Sequence, residues 1–266
     1  MKIFISADIE GIASTTTFDE CEISNPLYKA HAEQMTKEVL AACEAAKAAG
    51  ADEVFVRDAH HYAINIDQQQ MPEYVTMIRG WNGHPYSMVY GIDKSFDAAM
   101  FIGYHSGASR KGNPMSHTNN PENVYIKLNG EFCSEFTLFS YACALEGVPS
   151  VFLSGDKDLC EASKNLHPKL VTCPVKDGLG GITINYNPKS AVKQIKELAE
   201  KALSADNLKN ALVKLPEHFT LEVCYKEQKM AESMSHYPGI VRADDNILRF
   251  ESSDYYEVLR AVKFIN

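Results

Sequence analysis

The chain lacks any C-x-x-C pair, any block of like charge, any low-complexity stretch and any apolar run near the ~20 residues that cross a bilayer. Each absence excludes something. No membrane span is expected, and Met1–Asp8 is too short and too soon acidic for a signal peptide. No disordered tail is expected either. Basic residues are the minority, 26 Lys and Arg against 35 Asp and Glu, for a formal net charge of −9. That balance argues against nucleic acid as a partner, because binding phosphate needs a basic surface. The cysteines (Cys21, Cys43, Cys133, Cys143, Cys160, Cys173, Cys224) number 7, and an odd count does not make a complete disulfide framework. They read as reduced thiols of a cytoplasmic protein, with Cys43 and Cys143 as small core residues in alanine-rich helices.

What is present suits a globular α/β protein: 266 residues, 45% of them hydrophobic, enough for a continuous core. Lys2–Ala7 is a nearly continuous apolar run, as in a strand buried on both faces. Asn25-Pro26 reads as a helix start, with apolar residues and alanines recurring to Ala49 and Gly50 as the stop. Glu53–Arg57 follows as a strand, so this β-α-β unit predicts a parallel pair with a right-handed crossover. Further strands are expected at Val75–Arg79, Asp97–Gly103, Asn123–Leu128 (closed by the Asn129-Gly130 turn) and Ser150–Leu153. Helices are expected over Glu135–Leu145, after an Asp156 cap, and over Ser190–Leu203. Beyond Asp206 the pattern mixes strands at Phe219–Tyr225 and Ile247–Glu251 with a final helix over Ser253–Phe264. The reading is one domain over residues 1–266. A mainly parallel sheet with helices on both faces forms a core over 1–205, and a mixed α+β extension over 206–266 packs on it.

Acids and histidines stand where these strands end: Asp8-Ile9-Glu10-Gly11, Asp58-Ala59-His60-His61, Gly103-Tyr104-His105 and Ser116-His117, with Glu135 opening a helix. Gathering carboxylates and imidazoles is costly unless a cation joins them. In open α/β sheets, ligands bind at the carboxyl ends of the strands, so these segments converge if the strands are parallel neighbours. Asp8 and Glu10, two apart in extended backbone, leave on the same face. Mixed carboxylate and imidazole ligation suits zinc, with manganese as a substitute. Three acids with two histidines exceed what one tetrahedral ion needs, whereas a dinuclear site with Asp8 as bridge would use all five. Asp58 reads as orienting His60 or shaping the turn. His31, His167 and His218 read as structural or surface residues without acidic partners, and His84 and His236 as loop residues that could line a pocket. Gly178-Leu179-Gly180-Gly181 lacks the Lys-Ser/Thr of a phosphate loop and reads as a turn.

In order and spacing these segments, with Pro85-Tyr86-Ser87-Met88-Val89 and Leu128-Asn129-Gly130, resemble the zinc-dependent D-aminopeptidases of the DppA type over residues 1 to about 160. The resemblance implies that Asp8, Glu10, His60, His105 and Glu135 ligate two zinc ions per subunit with Asp8 bridging. It implies that His117 is the catalytic residue beside the metals. A nucleophile, a general acid/base and an oxyanion stabiliser all remain open for it. It further implies short peptides with an N-terminal D-residue, such as D-Ala-D-Ala, as substrates, and a homo-oligomer, a ring-shaped decamer. Ser134 and Phe139 stand where the family often has Gly and Asn, and the change falls on the substrate pocket, where Ser116 and Phe139 are expected. The alternatives from the residues alone are a dinuclear-metal amidase or phosphoesterase and a non-catalytic binding module.

Overall fold

The computed structural model describes residues 1–266. In chain order the elements are β1 (Lys2–Ala7), α1 (Tyr28–Ala48), β2 (Glu53–Asp58), β3 (Val75–Ile78), β4 (Ala98–Tyr104), β5 (Asn123–Leu128), β6 (Glu131–Phe132), α2 (Glu135–Leu145), β7 (Ser150–Asp156), α3 (Lys157–Leu166), β8 (Val171–Leu179), β9 (Ile182–Asn185), α4 (Pro188–Ala202), α5 (Ala205–Asn210), β10 (Phe219–Tyr225), α6 (Gln228–Met234), β11 (Val241–Asp244), β12 (Ile247–Ser252) and α7 (Tyr255–Ile265). Two sheets result. A seven-stranded sheet runs β3-β2-β1-β4-β7-β8-β9, parallel throughout except for the β8–β9 hairpin. A five-stranded antiparallel sheet runs β11-β12-β10-β5-β6.

The strict two-residue alternation of a strand divides the apolar runs between two cores. From β1 and β4, Ile3, Ile5, Met100 and Ile102 face α1 and α4 on one side of the large sheet. Phe4, Ala99 and Phe101 face the other side, where α2 packs and joins the large sheet to α7 and the antiparallel sheet. Helices therefore cover both faces, the α/β arrangement expected from the pattern.

Several boundaries differ for local reasons. The first helix begins at Tyr28 rather than Pro26, because the Asn25 side-chain oxygen accepts from Leu27 N (3.0 Å) and closes a turn ahead of the helix. β7 continues past Leu153 to Asp156, whose carboxylate then caps α3 by accepting from Leu159 N, as the sequence indicates. Gly180 turns the β8–β9 hairpin at a positive φ of 58°. The short elements α5, α6 and β11 carry too few residues to show a period.

Two glycines let the end of β4 meet the loop after β1. A Cβ on Gly11 would lie 1.8 Å from Tyr104 O, and one on Gly103 would lie 2.3 Å from Asp8 O. Hydrogen bonds Asp8 N→Ile102 O (2.9 Å) and Gly11 N→Gly103 O (2.8 Å) close that junction. The loop is also held from beneath. Glu38 of α1, fully buried, accepts from Ala13 N and Gln34 Nε2, both at 2.9 Å. Burial raises its carboxyl to about 7, so the folded protein holds a proton there that the unfolded chain releases near the ordinary glutamate value. Stability is therefore lost as pH rises through that window. Glu38→Gln keeps an acceptor for both donors, and its gain in stability should rise from under ~1 kcal/mol at pH 5 to about 2–3 kcal/mol at pH 8. Thermal melts of both proteins across that range measure it, and a gain independent of pH would refute the assignment.

Candidate metal centre

Four pieces of chain deliver the cluster. Asp8 and Glu10 follow β1, His60 follows β2, His105 follows β4, and Glu135 is the first residue of α2. Because β2, β1 and β4 are parallel neighbours, their carboxyl ends open on one side, and the side chains meet there. His60 Nδ1 lies 3.4 Å from Asp8 Oδ1 and 3.0 Å from Glu10 Oε2. His105 Nε2 lies 3.5 Å from Asp8 Oδ2 and 3.4 Å from Glu135 Oε2. Asp8, Glu10, His105 and Glu135 are all buried. Asp8–Glu10–His60 and Asp8–His105–Glu135 each bring three ligand atoms within 4.8 Å of one another, and Asp8 belongs to both. A third such group joins Glu10 and His105 to His117.

Each imidazole is oriented by what its other nitrogen does. His60 Nε2 lies 3.1 Å from Cys21 O, His105 Nδ1 3.0 Å from Ser106 O, and His117 Nδ1 2.8 Å from Met115 O. An N–H donated to these carbonyls turns the opposite nitrogen of each ring toward the carboxylates. The carbonyl behind His105 is itself fixed, since Ser106 N and Oγ both donate to Asp156, each at 2.6 Å. His117 stacks on His105 with ring centroids 4.4 Å apart and 19° between planes. Its Nε2 is 3.6 Å from Glu135 Oε1 and 4.0 Å from Glu10 Oε1.

Charge within the cluster is balanced by protons. Burial, with Glu10 adding, holds the Asp8 carboxyl well above the usual range. Burial pushes Glu10 the same way but is outweighed by His60, which keeps it well below. His105 is raised to about 10, because Glu135 and the other acids overcome the opposing effect of burial. Even so, Asp8 Oδ2, Glu10 Oε2 and His105 Nε2 are buried without an aligned hydrogen bond. Unpartnered buried ionisable atoms of this kind are costly. Divalent cations would occupy those lone pairs, and a donor set of carboxylates and imidazoles fits zinc.

The cluster lies in a cavity of about 400 Å³. Phe139 lines it as expected, and so does His84, whose Nδ1 accepts from Tyr86 N at 3.1 Å. Trp81 adds an aromatic wall, held by His61 O and by the Arg57 guanidinium 4.2 Å from its ring. Ser116 does not border the cavity and instead donates to Asn113 O at 2.6 Å. Ser134 caps α2, accepting from Thr137 N at 3.2 Å. Asp58 does not reach His60. It accepts from Asn65 N, Asn65 Nδ2 and Ile66 N, and the same Asn65 amide donates to His60 O, so Asp58 shapes the loop that carries the histidine. Two histidines read as lacking acidic partners have them, His31 with Glu20 (3.6 Å) and His218 with Glu251 (3.7 Å).

One supporting residue left no sequence signal of its role. Lys176 of β8, fully buried, donates to Thr15 O (2.8 Å), Thr15 Oγ1 (2.6 Å) and Glu10 O, and so anchors the loop bearing two of the acids. Its ammonium is pushed down to about 8 by burial.

The geometry has counterparts among known proteins. A D-aminopeptidase of Bacillus subtilis (strain 168) is 26% identical over 264 residues, covering 98% of this chain and 95% of that protein. A solved structure, described as the Zn-dependent D-aminopeptidase DppA from Bacillus subtilis, a self-compartmentalizing protease, superposes with a TM-score of 0.92 at 25% identity. That match covers 100% of this chain and 96% of the other. The peptidase M55 family, D-aminopeptidase, matches residues 1–264, and this chain belongs to it.

Proposed function

We propose that the protein is a zinc-dependent aminopeptidase that removes an N-terminal D-residue from short peptides, D-Ala-D-Ala among them, at a site holding two zinc ions per subunit. The observation that carries this reading is Asp8, whose two oxygens face different histidines and which is common to two three-ligand groups. Glu10 and His60 would complete one ion's ligands, His105 and Glu135 the other's, and manganese would serve the same donors. When bound, the ions polarise the scissile carbonyl and bring the pKa of water toward ~7. His117 stays off the ligand set. With Nδ1–H committed to Met115 O, its Nε2 takes the proton of the attacking water and returns it to the leaving amine. Phe139 and Trp81 give the cavity aromatic walls.

Residues 1–205 then supply every metal ligand, while 206–266 add the face of α7 that borders the cavity. The likeness to a self-compartmentalizing protease supports a homo-oligomer of this chain, read as a ring-shaped decamer. No helix is long and apolar enough to cross a membrane, and the buried free thiols suit a cytoplasmic protein. A panel of D- and L-dipeptides on zinc-replete protein tests the activity. Hydrolysis of D-Ala-D-Ala without L-Ala-L-Ala is expected. Turnover of a phosphoester but of no D-peptide would instead favour the phosphoesterase reading, which uses the same ligands.

A further inference from the structure

One face of α7 borders the cavity, with Leu259, Val262, Lys263 and Asn266 spaced as i, i+3, i+4 and i+7. Leu259 and Val262 are buried and apolar, and the Asn266 side chain is held by Asn123. Lys263 is the single lysine or arginine on the cavity wall. Nearby Arg260 is paired with Glu257 at 2.7 Å, whereas Lys263 enters no ion pair within the chain. The cavity's acids are already engaged: three belong to the cluster, and Glu22 lies 3.6 Å from His61. An uncompensated ammonium beside an apolar wall therefore faces the space a substrate must fill.

We infer that Lys263 recognises the free α-carboxylate of the substrate, so that the site favours zwitterionic dipeptides whose amino-terminal residue lies at the acid–histidine cluster. This rests on the aminopeptidase reading above. It adds that the carboxyl end, and with it peptide length, is selected by α7. Lys263 is exposed on the cavity wall, and its ammonium makes a charge-assisted contact with carboxylate whose loss raises KM about tenfold. The rival account has Lys263 as a solvated residue complementing the carboxyl end of the helix dipole, which would act on no substrate selectively.

The test compares D-Ala-D-Ala with D-alanyl-D-alaninamide, which lacks the carboxylate charge, on the zinc-loaded protein. The ratio of kcat/KM for acid over amide should fall about tenfold in Lys263→Met, through KM rather than kcat, and recover in Lys263→Arg. Calorimetry with the reduced-bond dipeptide D-Ala-ψ[CH2NH]-D-Ala, which cannot be cleaved, should show the same loss of affinity in Lys263→Met. An unchanged ratio, or equal losses on acid and amide, overturns the role of Lys263 while leaving D-aminopeptidase activity in place. Wild-type protein that cleaves neither D-peptide overturns the underlying activity and this selectivity together.

Discussion

His105→Ala is expected to lower turnover of a D-dipeptide by at least about a thousandfold, ~4 kcal/mol of barrier, and to reduce bound zinc well below wild type. The ring is fully buried, and its Nε2 stands between Asp8 and Glu135. Removing it also leaves two buried acids without their histidine, which compounds the loss of metal with a loss of stability. Elemental analysis beside kinetics tests both halves, and a variant that keeps full metal and near-full activity would remove His105 from the ligand set. Acid should act in the same direction on the wild type. The metal-free His105 keeps its proton up to about 10, so an incoming cation must displace it, and apparent zinc affinity should fall steadily as pH is lowered. Ser106→Ala touches only the hydrogen bonds that set the carbonyl behind the ring, and a loss of roughly 10–100-fold is the scale for such outer partners.

His117→Ala should separate chemistry from metal binding. Its Nε2 lies 3.6–4.0 Å from two of the acids, yet its ring is backed by Met115 O and edged by Phe18 at 5.6 Å, on the cavity side of His105. A group placed to move a proton contributes about 10²–10⁴-fold, so kcat should fall by that amount with zinc content retained and KM little altered. Parallel loss of zinc would make His117 a ligand, and activity within a few-fold of wild type would strip it of a catalytic role. The stacked pair makes this comparison direct, because the two rings lie 4.4 Å apart and differ in exposure and partners rather than in position.

The acids and histidines of the cluster that follow β1, β2 and β4 were legible because each ends a strand with a residue type that a strand end has no packing reason to carry. Asp8 after Ala7 and His105 after Tyr104 announce themselves in this way. Parallel order supplied the rest, since it brings ends separated by many residues to one edge. Lys176 was not legible for the opposite reason: a lysine in Val171–Leu179 reads as a solvent-facing position, and only the tertiary packing shows its ammonium under Thr15 and Glu10. Pro174 in the same segment obscured the strand itself, which tolerates it where β8 passes Gly155 of β7. Glu38 carries no sequence signal of its role either, since only the packing of α1 shows it turned inward beneath Ala13. Of the two roles the sequence left to Asp58, orienting His60 or shaping the turn, the second is the one the structure shows, since three donors from Asn65 and Ile66 claim it. The pairing of β5 with β10 joins Leu128 to Leu221, a register that no local pattern specifies.

The central place of β1 sets the order of synthesis against the order of assembly. Its Lys2–Ala7 segment is translated before both of its neighbours, and its edges are completed by Glu53–Asp58 on one side and Ala98–Tyr104 on the other. At roughly 5–20 residues per second, a growing chain carries that apolar strand with one edge open for several seconds. Glu135 must emerge later still before all the acids of the centre exist together. A strand that ends buried must therefore wait, on the ribosome, for both of the segments that bury its edges.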